Sequence, residues 1–448
     1  MDLKSGYPFW SIRNGLMRAY PRLERDTDCE VAIIGGGVTA ALIAHELLKH
    51  GHEVVVLEQR EIGWGSTSAS TALLQYEIDT PMIALARHYG MPAAALAYAA
   101  CAQAVLDLQG LCNTLGGCDF SRQDSLYYAS RSRDLDDLRS ELQVRKTHTL
   151  PVEWIERAPL WHNYGVRSEG AILSRLAASV DPYRLCYRLF AEGEHYGARI
   201  YDRTAIATLT PHDRHVALRT RDGVTLRARH VIMAAGYANQ QWLSQRVARN
   251  RSSYAFVTDP LHDGEMGALK HTMMWETARP YLYLRSTPDG RVVAGGEDDN
   301  IDLPARRDAR VMRRLKTLLK KIHQTMPDIS LRPVFAWGGT FAETADGLPF
   351  FGPHPQHGPR VSFAMAYGGN GITYSAIGAG LLRAQLEGRP HPLSDLFGFS
   401  RLRRDPHGHQ PWPCSAYASA ARSSGLRTWM PPHSKYTGKN SGPSSMYW

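Results

Sequence analysis

Residues 31–60 read VAIIGGGVTAALIAHELLKHGHEVVVLEQR, which spells a strand, a glycine turn, a helix and a second strand ending in an acid. Val31, Ala32, Ile33 and Ile34 form a short apolar run suited to a parallel strand buried on both faces. The turn Gly35-Gly36-Gly37-Val38-Thr39-Ala40 fits G-x-G-x-x-G/A. In that pattern Gly35 makes the tight turn, Gly37 lets a pyrophosphate approach the main chain, and Ala40 keeps helix and strand close. Ala41, Ala44, Leu47 and Leu48 continue at helical spacing, so the helix aims its N–H groups and positive end at the phosphates. Gly51 ends the helix, and the next run finishes at Glu58, 23 residues past Gly35 and followed by Gln59. A carboxylate there accepts hydrogen bonds from a ribose and disfavours a 2′-phosphate, which favours FAD or NAD over NADP.

The rest of the composition narrows the class. At 448 residues the chain is long enough for two domains with sizeable cores. Hydrophobic content of 43% and charged content of 21% are those of an ordinary soluble enzyme. No run approaches the roughly 18 apolar residues of a membrane span, and MDLKSGYPFW lacks the apolar core of a secretory signal, so a cytoplasmic location is expected. Six cysteines without a CxxC pair and 19 histidines without an HExxH spacing argue against a metal site or a disulfide framework. The formal charge of +9 is spread among interleaved acids, with part of the excess in Arg401, Arg403 and Arg404, so stable nucleic-acid binding is not expected.

Along the chain, residues 1–28 form a polar arm in which Pro8 and Pro21 interrupt any long helix. Residues 93–115, rich in Ala and Leu, predict a helix, and the charged stretch 131–147 predicts a second, exposed one. Asp181 can cap a helix that begins at Pro182. Short alternating runs at 198–201, 205–210, 215–219 and 224–227 predict strands, with Asp222-Gly223 as a hairpin turn. They lead to a buried strand at 231–233 that ends in Ala234-Ala235-Gly236. A sheet is expected from runs at 254–258, 272–276, 281–285 and 292–295, followed by a basic amphipathic helix at 306–326. Residues 401–448, with clustered Pro, Ser, His, Gly and Arg and no apolar period, predict disorder.

Five separated signatures in this order resemble the D-amino-acid oxidase-like flavoproteins, the superfamily of glycine oxidase, sarcosine oxidase and bacterial D-amino-acid dehydrogenases. The first is the fingerprint ending at Glu58. The second is residues 63–75, GWGSTSASTALLQ, similar to the small-residue segment that runs beneath the flavin, and it includes Ala72 and Leu74. Here Ser66, Thr67 and Ser68 can cap a helix start and donate to phosphate or ribityl oxygens. The third is residues 231–236, similar to the family's late strand ending in A-x-G beside the adenosine, with Ala235 and Gly236 at its end. The fourth is residues 337–349, WGGTFAETADGLP, which contains Gly338. The last is Tyr367-Gly368-Gly369-Asn370-Gly371-Ile372-Thr373, opening a helix whose dipole can stabilise negative charge on the reduced flavin ring.

The resemblance implies an α/β fold: a Rossmann-type FAD-binding domain, and a second α+β substrate domain built on a mixed or antiparallel sheet. The expected division is an arm at 1–28, a discontinuous FAD-binding domain at 29–85, 150–250 and 335–400, a helical segment at 86–149, and a substrate domain at 251–334. It implies FAD held non-covalently, because no Cys lies between Cys186 and Cys414 and no His between His52 and His88. It also implies oxidation of a C–N bond in a small amine or amino acid, with hydride passing to flavin N5 and the imine hydrolysed. Alternatives are a flavin oxidase of a carboxymethylaminomethyl group on tRNA and a non-catalytic dinucleotide-fold binding protein. Where amino-acid oxidases of this family carry an Arg-Pro for the substrate carboxylate, this chain has Phe341-Ala342. Arg285 is a possible substitute, since alternation puts Tyr281, Tyr283 and Arg285 on one strand face. Trp337, Phe341, Glu343 and Tyr374 are further candidates for the substrate wall. Substrate identity, oligomeric state and the choice of oxygen, quinone or carrier protein as electron acceptor lie outside what these motifs specify.

Overall fold

An apolar strand with no polar face needs neighbours on both sides and cover above and below. In the computed structural model, which describes residues 2–5, 8–301 and 303–403, Thr27–Ile34 has parallel neighbours in Val54–Leu57 and Thr225–Met233. Arg199–Tyr201 extends this sheet beyond Val54–Leu57, and Val361–Met365 and Phe350–Pro353 extend it on the other side. The dinucleotide helix Val38–Lys49 packs against Gly371–Leu386 and Pro182–His195. Asp181 caps the latter by accepting the Tyr183 and Arg184 N–H groups.

Two expected strands at 224–227 and 231–233 are one continuous strand. In Thr225–Met233 exposed Arg227 and Arg229 alternate with buried Leu226 and Ala228 before the run becomes fully buried. Its first half carries the antiparallel hairpin Ile206–Pro211 and Val216–Thr220, while its second half enters the core. A change from half-buried to fully buried pattern reads as two elements in sequence but needs no break in the backbone.

A second sheet runs, in order, through Pro333–Glu343, Arg249–Thr258, Val292–Asp299, Leu282–Ser286, Thr272–Glu276, Ser121–Tyr128, Gly170–Ser179 and Leu73–Gln75, with Val152–Glu156 also paired to Gly170–Ser179. The mixed sheet is thus present, but the expected boundaries at 150 and 335 cut across it. Residues 152–156, 170–179 and 333–343 belong to this sheet and not to the dinucleotide layer. Sequence order hides this because the pairings join strands far apart in the chain.

Three helical expectations change. The 306–326 helix is two helices, Pro304–Asp308 and Val311–Thr325. The helix Leu135–Thr147 is not fully exposed: Leu138, Glu141, Leu142 and Arg145, at helical spacing, form a buried face. Met91–Leu115 has the length and apolarity of a membrane span, yet Ala94, Ala97, Tyr98, Cys101 and Val105 are buried in the core and it packs on Gly371–Leu386. The start of the expected disordered tail is also ordered. Arg401 is buried, pairs with Asp346 at 2.7 Å and donates to the Leu348, Pro349 and Leu396 carbonyls. The remainder of 401–448 lies outside the described residues apart from Leu402 and Arg403.

Candidate active site

The fingerprint turn opens on a cleft of about 590 Å³. Gly35 sits at φ +121° and so close to the neighbouring strand that a Cβ would lie 2.4 Å from the Ala234 carbonyl oxygen. A Cβ on Gly36 would strike Ile62 and Glu58 at 2.5 and 2.7 Å, so this unspecified position of the motif also needs glycine here. Gly37 caps the helix without a side chain of its own, and a Cβ there would come within 3.0 Å of Thr67 Oγ1. Thr67 instead accepts the Val38 N–H at 2.9 Å. A helix start whose N-cap residue has no side chain, with space that any Cβ would fill, fits a diphosphate.

Glu58 lines this cleft, and its carboxylate accepts the Gly36 N–H at 2.6 Å and the Arg60 N–H at 2.8 Å. Burial pushes its pKa up, opposed by these hydrogen bonds. The acid therefore braces the glycine turn, and a carboxylate retains lone pairs for a further donor. The cleft is also lined by Gly35, Gly37, Val38, Thr39 and Gln59 from the fingerprint, and by Ser66 and Thr67 from the short helix Ser66–Ala69. Ala235 and Gly236 complete the adenosine side, and Gly369, Gly371 and Ile372 the far end.

At that far end the cleft meets a smaller chamber of about 90 Å³, the two sharing Ser70, Gly369, Gly371 and Ile372. Ala72, Asn370, Tyr281 and Tyr283 line the chamber, as do Gln75, Glu77, Asp79 and Trp275. One row of paired residues crosses the second sheet here. Tyr127 pairs with Trp275, Trp275 with Tyr283, and Tyr283 with Gly295. Tyr127 and Trp275 stack at 3.7 Å, and a Cβ on Gly295 would lie 2.4 Å from the Tyr283 hydroxyl. The glycine leaves room for that ring to lie across the strand.

Several predicted residues lie elsewhere. Ala40 and Leu74 are fully buried packing positions, and Ser68 is buried with its hydroxyl turned back to the Trp64 and Gly65 carbonyls. Thr373 donates to the Gln75 carbonyl, and the Gly368 N–H bonds the Ala342 carbonyl. Gly338 faces Arg307 and pairs with Ser5 of the N-terminal arm. Among the wall candidates, Trp337 is buried and donates to the Ala69 carbonyl, and Glu343 is paired with Arg251. Tyr374 is buried against Phe397 with its hydroxyl on the Gly347 carbonyl. Phe341 pairs with Arg251 across the sheet and lines neither cavity.

Arg285 keeps the predicted face but not the predicted job. Its guanidinium donates to the Thr71, Val180 and Ser286 carbonyls, and burial pushes its pKa down to about 10. It clamps the turn in which Ala72 takes the left-handed φ of 52°. The carboxylate fork is therefore not supplied by Arg285.

Sequence reasoning missed Glu77, Asp79 and Trp275 on the chamber side, and it gave Gln75 and Trp64 no role beyond membership of the segment at 63–75. Trp64 lines the cleft with the Lys4 ammonium 3.9 Å from its ring centroid. Burial pushes the Lys4 pKa down to about 8, with Asp2 opposing. The one usable signal was alternation past Leu73–Gln75, which carries Gln75 and Glu77 onto one face.

Residues 30–385 match the family described as DAO: FAD dependent oxidoreductase. The chain belongs to this family. This DAO-family chain is accordingly an FAD-dependent oxidoreductase. It is 25% identical over 388 residues to a glycine oxidase of Bacillus licheniformis, covering 84% of this chain and 98% of that one. It is 24% identical over 405 residues to a putative Rieske 2Fe-2S iron-sulfur protein of Bacillus subtilis, covering 89% of this chain and 76% of that one. Among solved structures, glycine oxidase from Geobacillus kaustophilus matches with a TM-score of 0.67 and 21% identity, over 81% of this chain and 96% of that one. L-proline dehydrogenase from P. horikoshii matches with a TM-score of 0.73 and 17% identity, over 85% and 99%. At these identities the structural matches speak for the DAO-family fold.

Proposed function

We propose that this flavoprotein oxidises the C–N bond of a small amine, with hydride leaving the substrate Cα and the imine then hydrolysed to a carbonyl compound. The observation that carries the reading is the junction of the two cavities at Gly369, Gly371 and Ile372. A dinucleotide laid along the larger cleft ends where the smaller chamber begins. In this reading Gly35, Gly37, Val38, Thr39 and Thr67 hold the diphosphate, Glu58 and Gln59 the ribose, and Ala235 and Gly236 border the adenosine. Gly369, Gly371 and Ile372 border the ring, with Ser66, Ala72 and Asn370 beside it. When bound, FAD supplies the two-electron sink for the departing hydride. No Cys or His is among the described residues lining either cavity, which supports non-covalent attachment.

The chain's own contribution is to orient the substrate and to exclude water. Tyr281, Tyr283 and Trp275 form an aromatic wall, and the charged groups on the chamber lining are the acids Glu77 and Asp79. Acids and aromatic faces select a cation over a carboxylate. The relatives named glycine oxidase and gamma-glutamylputrescine oxidoreductase show amino-acid and amine members among similar proteins. The absence of an Arg on this wall is what tips the reading toward an amine. The five free cysteines among the described residues support the cytoplasmic setting that goes with this reading. Anaerobic mixing of the holoenzyme with a panel of small amines and amino acids tests it. Bleaching of the flavin band is expected with amines, and a flavin reduced only by free amino acids, or by none of the panel, would overturn it.

A further inference from the structure

The lining of the small chamber includes Glu77, whose buried carboxyl group the protein satisfies only in part. Glu77 is 3% exposed, and its side-chain oxygens have the Ser125 hydroxyl and a distant guanidinium beside them, with no well-aligned hydrogen bond. The adjacent cation, Arg145, has Nη1 3.5 Å from Glu77 Oε1 but gives its Nε to Glu141 at 2.8 Å. Glu141 in turn accepts the Met82 and Ile83 N–H groups at the start of the helix Met82–Tyr89. One guanidinium thus serves two buried carboxyls, and the better geometry belongs to Glu141. Tyr76 and Tyr98 enclose the Arg145 side, with the guanidinium 5.9 and 5.6 Å from their ring centroids.

The chamber side of Glu77 is ordered differently. Ser125 accepts both Gln75 Nε2 and Trp275 Nε1 at 3.0 Å, so two chamber residues meet on one hydroxyl beside Glu77. Asn370 holds the Glu77 carbonyl at 2.8 Å, fixing the segment against the glycine turn. Asp79 lies two residues on and accepts the Gly369 N–H. Among the described residues lining the chamber there is no Lys, Arg or His. A buried carboxyl in such a site requires a cationic partner or a proton.

We propose that Glu77 is the proton acceptor that converts a bound substrate ammonium into the neutral amine. An alkylammonium has no lone pair with which to assist departure of hydride from Cα. In the proposed step one N–H bond of the ammonium breaks, its proton forms an O–H bond on the Glu77 carboxylate, and the electron pair stays on nitrogen. That pair would form the C=N bond as the Cα–H departs as hydride, and FAD, when bound, would supply the two-electron oxidant. Loss of both charges together is favoured in a dry chamber. Burial also pushes the Glu77 pKa up to about 7, against the pull of Arg145 and the Ser125 hydroxyl and with Glu141 adding to the rise. A carboxyl poised there gives up and takes back a proton near neutral pH.

The inference rests on the amine-oxidising reading, and two measurements on the FAD-loaded protein separate them. The first uses tert-butylammonium, which has no Cα–H and cannot be oxidised, in calorimetric titrations in buffers of different ionisation enthalpy. At pH 6 Glu77 is largely protonated before binding, so a bound pair that shares one proton is expected to release about one proton per site, with no release at pH 9. Glu77→Gln should abolish the release, and Asp298→Asn, at a second carboxyl on the strand Val292–Asp299 whose pKa burial also pushes up to about 6, should not. Binding without proton release in the wild type, or undiminished release in Glu77→Gln, overturns the proposal. The second measures flavin reduction by whichever amine bleaches it. Glu77→Gln is expected to slow reduction by at least about tenfold at pH 7, raising KM little, and to move the pH profile upward toward the free amine's own pKa. An unchanged rate and profile overturns the proposal. If no amine bleaches the wild type, the amine-oxidising reading fails while the calorimetric result still decides Glu77. If Glu77→Gln does not fold, release that persists in Asp298→Asn supports the proposal, and release lost in Asp298→Asn overturns it.

Discussion

Glu58 illustrates how much one side chain is asked to do at the residue scale. Because it receives the Gly36 and Arg60 N–H groups, Glu58→Ala strips two buried donors as well as the ribose acceptor. A loss of about 2–3 kcal/mol is expected, or roughly 30- to 150-fold in FAD affinity. Fluorescence titration of the apoprotein with FAD checks this, and undiminished affinity would remove the ribose assignment. At Glu77 a raised pKa means that the folded state binds a proton more tightly than the unfolded chain. Its contribution to stability is full below about pH 4.5 and is lost as pH rises through about 7. Glu77→Gln should flatten the dependence of Tm on pH across this window, and an unaltered slope would contradict the assigned titration. Both residues end an apolar or alternating run, yet only Glu58 was legible from sequence. Its role follows from a local motif, whereas the surroundings of Glu77 come from Arg145, Ser125 and Trp275, brought in by tertiary packing. Arg285 shows the converse: alternation gave its face correctly, but carbonyl groups at Thr71 and Val180 decide where the guanidinium goes.

At the scale of elements, the chamber wall depends on neighbouring strands leaving room for one another. Gly295 and Gly296 lie beside Tyr283 and Tyr281, and a Cβ on Gly296 would stand 1.9 Å from the Tyr281 carbonyl oxygen. Gly295→Ala is expected to displace the Tyr283 ring and reduce turnover about tenfold or more, with FAD affinity unchanged because the larger cleft is untouched. Equal loss of FAD binding in that variant would contradict the division into two cavities. On the strand Pro333–Glu343, Trp337, Gly339 and Phe341 alternate onto the side that meets Ser66–Ala69. Because Phe341 lines neither cavity, Phe341→Arg should leave the ratio of kcat/KM for amino acids over amines unchanged, and a raised ratio would place this position at carboxylate binding after all. Strand existence was readable from alternating runs and turn residues, and helix starts from Asp181 and the glycine turns. Pairing partners were not, since a strand's sequence records which faces are buried but not which distant strand lies beside it.

For the molecule as a whole, the chain passes between the two sheets four times, at 57–73, 179–199, 233–249 and 343–350. The N-terminal arm adds a further tie: Lys4 bridges Gly339, and Arg307 holds the Asp2 carbonyl and the Thr340 hydroxyl. Unfolding of the holoprotein should therefore be a single calorimetric transition, and two resolved peaks would contradict this. FAD at 100 times its Kd should add about 2.7 kcal/mol to the unfolding free energy, read as an upward shift of Tm. The interleaving also explains why contiguous segments made poor domain boundaries. The glycine turn at 368–371 has one more consequence, for protein engineering. A Cβ on Gly368 or Gly369 would stand 2.8 or 3.1 Å from the Asp79 carboxylate, so that rim tolerates little diversity. Gln75, Trp275, Tyr281 and Tyr283 sit on the opposite bank, and a combinatorial library confined to those four codons can retune the catalyst while its redox machinery stays intact.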